Sequence, residues 1–244
     1  GNFSLHFRSK RRNRGICGKG IKCMEREINW EEVSDGRLYG PNDMVKADCG
    51  DCEGCSACCR GMGSSILLDP LDIFRMTGYL NCSFEQLMEE NIELQVVDGM
   101  ILPNLKMAGA GEACTFLNVQ GRCMIHPARP GICRIFPLGR LYEDGGFQYF
   151  LQVNECRKKN RSKIKVKKWI DTPETATNSQ YICDWHYFLK DAERVIHDRD
   201  EEVRKNWNLY LLKVFFLKPY QTQEDFYPQF YRRYFEAREV LESL

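Results

Sequence analysis

Cys49-Gly-Asp-Cys52-Glu-Gly-Cys55-Ser-Ala-Cys58-Cys59 places five thiols in eleven residues, at intervals of three with a final adjacent pair. They cannot all bridge one another, because a disulfide needs a specific Cα separation and side-chain direction. A metal ion or an iron–sulfur cluster can gather them. On a regular helix an interval of three would carry the thiols steadily round the axis, and Gly50 and Gly54 disfavour a helix here. The run reads as a loop wrapped round an inorganic centre. Zinc or iron takes four deprotonated thiolates at each metal. The spacing is that of the bacterial ferredoxin run C-x2-C-x2-C, and it departs where a further Cys and Pro should follow, since Cys58-Cys59-Arg60 stands at the end. Adjacent side chains are expected to point apart, so Cys58 and Cys59 either serve different metals or only one of them ligates.

The elements that must position these thiols are legible in outline. Ser65 to Leu68 reads as a short strand, and Asp69-Pro70 opens a helix that Gly78 can close. Ser83 and Gln86 form a capping box before Leu87, Met88, Ile92 and Leu94, which predicts a second helix with Cys82 packed at its entrance. Val96 to Leu102 is a hairpin with an Asp-Gly turn, Cys114 to Ile125 a second one carrying Cys114 and Cys123 on its two arms, and Leu138 to Val153 a third that delivers Cys156 just past its end. Between them, the prolines of 127–137 predict an irregular, rigid loop that places Cys133. Residues 24–47 lack a clean period and read as a strap. Asp171-Thr172-Pro173-Glu174 is a helix start, and the apolar stripes after it predict three helices whose aromatic faces form a core. The expected fold is α+β: a small, hairpin-rich metal-binding region with irregular cysteine loops, then a helical C-terminal cap. The expected division is a basic arm and strap over 1–47, a cysteine-cluster domain over 48–157, and a basic segment with helices over 158–244.

At 244 residues the chain can bury a core without relying on metal. Its thirteen cysteines, an odd number, and the lack of any stretch that reads as a secretory leader lead to the expectation of a reduced, cytoplasmic setting. Leu209 to Leu217, the longest apolar run, is broken by Lys213, so no membrane segment is expected. A net charge of +1 argues against a nucleic-acid partner. Locally, residues 157–168, RKKNRSKIKVKK, hold eight basic side chains and no acidic one; they are either a solvated face or a surface for an acidic protein, a phosphate-bearing ligand or RNA. Cys17 and Cys23 flank a Gly-Lys-Gly turn and make half a metal site at most.

Three motifs then occur together in order: Cys52-Glu-Gly-Cys55-Ser-Ala-Cys58-Cys59, Cys114-Thr-Phe-Leu, and Cys123-Met-Ile-His-Pro-Ala-Arg129-Pro130-Gly-Ile-Cys133-Arg134-Ile-Phe-Pro137, followed by Cys156. The set resembles the YkgJ-type cysteine-cluster (CxxCxxCC) family of zinc- or iron-chelating domains, which includes flagellin lysine N-methylases. The resemblance implies Cys52, Cys55, Cys58, Cys59, Cys114, Cys123, Cys133 and Cys156 as metal ligands. It also implies S-adenosylmethionine and a protein substrate, if the methylase kinship extends to activity; no glycine-rich nucleotide fingerprint in the chain supports that independently, and no catalytic residue is assigned. Cys49 departs from the pattern as a fifth thiol in the loop, His126 stands where an aromatic is expected, and Cys183-Asp-Trp-His186 is a further candidate ligand source from the helical cap. Arg129 and Arg134 flank Cys133, where guanidinium charge either offsets a thiolate cluster or pairs with a carboxylate. The ferredoxin-like spacing favours an iron–sulfur cluster of the 4Fe-4S kind; the alternative is zinc in a structural or partner-binding module without catalysis.

Overall fold

The computed structural model describes residues 6–8, 25–27, 29–50, 52, 53 and 55–244, so Cys17 and Cys23 lie outside the described residues. The chain runs β1 (His6–Arg8), β2 (Glu25–Glu27), α1 (Trp30–Val33), β3 (Ser34–Tyr39) and β4 (Met44–Asp48) before the cysteine loop. The stretch read as a strap therefore holds strands. Its missing period has a cause: β3 is an edge strand with only Ser34 and Tyr39 buried, so its sequence carries no alternation.

After the loop come α2 (Pro70–Leu80) and α3 (Phe84–Glu90), both opened by the capping boxes that the sequence shows in part. Helix α2 runs through Gly78 and ends two residues later, where Asn81 takes the left-handed conformation. Helix α3 stops at Glu90, so Ile92 and Leu94 belong to β5 (Ile92–Val97), which pairs with β6 (Met100–Leu105) across an Asp98-Gly99 turn with positive φ at both positions. Ser65 to Leu68 is not a full strand. It meets β6 through a single bridge, Leu67 to Asn104, with the Leu68 N–H donating to Pro103 O at 2.9 Å.

The second expected hairpin is equally short. Strands β7 (Met107–Ala108) and β8 (Ala113–Cys114) pair, and Leu117 bridges Cys123 across a turn closed by Gly121 N to Asn118 O. The proline-rich loop is more regular than expected, because Pro130 stands as N-cap of α4 (Gly131–Ile135) and Pro137 lies beyond its end, where neither blocks a helical hydrogen bond. Strands β9 (Leu138–Glu143) and β10 (Gly146–Gln152) form the third hairpin as expected, at the centre of a sheet of order β2-β1-β9-β10-β3. Then β11 (Ser162–Lys165) pairs antiparallel with β4, and α5 (Val166–Ile170), α6 (Thr175–Ile196), α7 (Glu201–Leu212) with a π turn over Lys213–Leu217, and α8 (Phe226–Glu242) complete the chain. The fold is α+β, with the helical cap following the cysteine region.

One continuous core runs from Tyr39 to Leu241, and Cys59, Cys114, Cys123 and Cys133 pack on it. Its centre is aromatic: Phe230, fully buried, stands edge-on to Tyr181 at 4.6 Å, and Trp185 to Phe215 at 4.9 Å. Asn208 ties the cap to the β5–β6 hairpin, accepting from Ile101 N at 2.5 Å and donating to Gly99 O at 3.0 Å. Asn208→Ala leaves these groups without partners, and an expected loss of about 3 kcal/mol follows; urea denaturation showing less than about 1 kcal/mol would mean that the hairpin turn is not pinned this way. Among the described residues, no helix is long and apolar enough to cross a membrane.

Candidate metal centre

The cysteine run is a loop of successive tight turns. Glu53 N donates to Gly50 O at 3.0 Å, Cys55 N to Cys52 O at 2.9 Å and Cys59 N to Ser56 O at 3.0 Å, the last turn being a 3-10 turn over Ala57–Cys59. Gly50 and Cys52 both have positive φ, 65° and 60°, which bends the chain back on itself twice within three residues. These turns bring Cys52 within reach of Cys49 and Cys55, and Cys59 against Cys58. They also overturn the expectation for Cys58 and Cys59, whose sulfurs hydrogen-bond each other because the backbone between them is turned rather than extended.

Nine thiols collect in two adjoining groups. In the first, Cys49 Sγ lies 3.6 Å from Cys52 Sγ and also hydrogen-bonds Cys156, which β10 returns to the loop; Cys52 feels both Cys156 and Cys55. In the second, Cys58 and Cys59 face Cys133 on α4, and Cys133 faces Cys114 and Cys123 from the short bridge hairpin. Cys52 acts on Cys58, so the two groups adjoin. All eleven described cysteines are free thiols. The groups are not closed round a point: among the described residues, no three side chains of ligand type already surround one ion.

The electrostatics of this arrangement call for a cation. Cys133 is held far above the ordinary thiol range by burial, then by Cys114 and Cys59; burial pushes Cys114 up to about 11, and Cys123 is raised by burial as well. Cys156 is raised by its hydrogen bond with Cys49 and then by burial. Two thiols shift the other way. Cys52 is lowered by the hydrogen bond from Cys49, and Cys59 by that from Cys58, with the charge of Arg129 helping at both. Buried thiols that oppose one another's ionisation are what a bound metal ion resolves, because its charge outweighs their mutual repulsion. The donor set thus fits a thiolate-bound metal.

Arg129 is the cation between the groups, acting on Cys52, Cys59 and Cys123 while its guanidinium donates to Nε2 of His126. Arg134 has a different place: it donates to Pro127 O at 2.6 Å and Asp171 O at 3.2 Å. Cys183 and His186 do not join the thiols. Cys183 sits by Arg140, Tyr142 and Tyr149, and His186, buried, stacks on Tyr142 with ring centres 3.7 Å apart.

Asp72 is the residue that the sequence reading missed. It is 2 % exposed, accepts from Asp69 N at 3.1 Å as the return arm of the capping box, and accepts from Gly131 N at 2.7 Å, so it fastens α2 to the turn that starts α4 and carries Cys133. The signal for the first contact was present, as Asp69-x-x-Asp72 repeats the capping-box spacing; the second is long-range. Burial, then the neighbouring Asp69, pushes its carboxyl up to about 7. Asp72→Ala should cost about 3 kcal/mol through the buried N–H groups it strands, and should lower metal content with it; full metal occupancy in the folded variant would show that Asp72 does not hold Cys133 in place.

Residues 51–164 match the family model CxxCxxCC, described as "Putative zinc- or iron-chelating domain". The expected family thus fits over these residues, a little under half of the chain. Cys49 lies just before the matched residues and Cys183 beyond them. No curated protein and no solved structure matches the chain. The match supports metal binding through the cysteines.

Proposed function

We propose that this CxxCxxCC protein holds metal at two adjacent thiolate centres, the first a single tetrahedral ion on Cys49, Cys52, Cys55 and Cys156. One distance carries the reading: Cys49 Sγ to Cys52 Sγ is 3.6 Å. Zinc–sulfur bonds of about 2.3 Å place neighbouring ligands of a tetrahedron about 3.8 Å apart. Thiolates on different irons of a cluster stand further apart, so the first centre is read as zinc, against the iron–sulfur expectation from ferredoxin-like spacing. The iron–sulfur reading keeps its support at the second centre, whose ligands are Cys114, Cys123 and Cys133 with one of Cys58 and Cys59. Those two sulfurs hydrogen-bond each other and so do not stand on different irons. There Arg60 and Arg129 stand by Cys59, and cationic neighbours offset the negative charge of a thiolate cluster.

The test is metal and acid-labile sulfide analysis, with a visible spectrum, of protein purified without oxygen. Two metals in the sample, zinc without colour and iron with equivalent sulfide, are expected. Cys49→Ser should remove the zinc and leave the iron and its absorption in place. Unchanged zinc in Cys49→Ser would sink the assignment of the first centre, and a colourless, sulfide-free protein would sink that of the second.

A further inference from the structure

On the outer side of the turn that carries Cys133 lies an open cleft of about 580 Å³, lined by Arg75 of α2, Arg134 of α4, Lys167 of α5, Thr172, and the apolar edges of Tyr79, Pro127 and Pro173. Three cations from three elements face one space, and Asp171 is the carboxylate on its wall.

Two features make this more than a basic surface. Arg134 is 8 % exposed and fixed by two backbone carbonyls, so its guanidinium is held rigidly at the cleft wall. Arg75 forms no ion pair among the described residues, although buried Asp72 on its own helix and the half-buried N-cap Asp69 lie within its field. A rigid guanidinium flanked by two further cations matches the oxygens of a phosphate group. The volume is that of a small-molecule site, and Tyr79, 51 % exposed, supplies a flat apolar wall for an organic body.

We propose that this cleft binds a small phosphate monoester, its phosphate between Arg75, Arg134 and Lys167 and its organic part against Tyr79, Pro127 and Pro173. The site takes up Lys167 from the end of the basic tract, whose Lys158 meets the cysteine loop instead. It stands independently of which metal the cysteines hold.

Calorimetric titration of the full metal-loaded chain with phenyl phosphate, inorganic phosphate and benzoate tests it. Phenyl phosphate should bind saturably, more tightly than inorganic phosphate and at least tenfold more tightly than benzoate. Arg75→Ala and Lys167→Ala should each weaken phenyl phosphate at least tenfold with metal content unchanged, and Tyr79→Ala should erase its advantage over inorganic phosphate. Lys163→Ala, an exposed basic residue on β11 away from the cleft, should bind as the parent does. Absence of saturable phosphate binding, equal affinity for benzoate, or equal weakening in Lys163→Ala would each overturn the proposal.

Discussion

Stripping the metal from the purified protein with a chelator is expected to unfold the cysteine region and leave the helical cap standing. Structural thiolate–zinc sites contribute on the order of 10 kcal/mol each, while a whole domain is stable by only about 5–15 kcal/mol. Without metal, the raised thiols of the second group lose the charge that lets them ionise together, and the loop turns at Gly50 and Cys52 keep little besides their backbone hydrogen bonds. The aromatic core round Phe230 has contacts of its own among α6, α7 and α8. Far-UV circular dichroism should therefore keep most of its helical signal, while limited proteolysis opens new sites within 49–60 and 114–133. An unchanged cleavage pattern and melting temperature after verified metal loss would show that the thiols do not hold the region through metal.

Cys133→Ser is expected to have the next largest effect, loss of the second centre with retention of the first. Cys133 faces Cys58, Cys59, Cys114 and Cys123, and it sits on α4, which Asp72 clamps through Gly131. A serine there removes a ligand and puts a hydroxyl into an apolar position. The chromophore and iron should fall below a tenth of the parent level, with zinc at the first centre preserved. The reverse variant, Cys49→Ser, should show the opposite loss. Equal loss of both metals in both variants would mean that the nine thiols form one centre; unchanged metal in Cys133→Ser would remove it from the ligand set.

Much of the cysteine chemistry is legible without coordinates, because the intervals of three between thiols are local. Each turn in the loop closes within four residues, which is why the thiol spacing with Gly50 announces it in sequence. The same holds for the Asp69 cap, the Ser83–Gln86 capping box and the Asp98-Gly99 hairpin. Where local signals were weak, the reading slipped: β3 is an edge strand, and the segments at Leu67 and at Leu117 to Cys123 make single bridges rather than ladders. The helix α4 was hidden by prolines that stand just outside its ends.

By itself, then, the sequence determined that this chain gathers thiols in a turned loop, that the fold is α+β, and that an aromatic helical cap follows, since spacing, caps and periodicity act over a few residues. Tertiary structure alone decided that Cys49 meets Cys156, that Arg129 rather than Arg134 stands among the thiols, that Cys183 and His186 stay with Arg140 and Tyr142, and that Asp72 holds the turn before Cys133. Those partnerships join segments far apart in the chain, and they are fixed by how the hairpins and helices pack on their shared core.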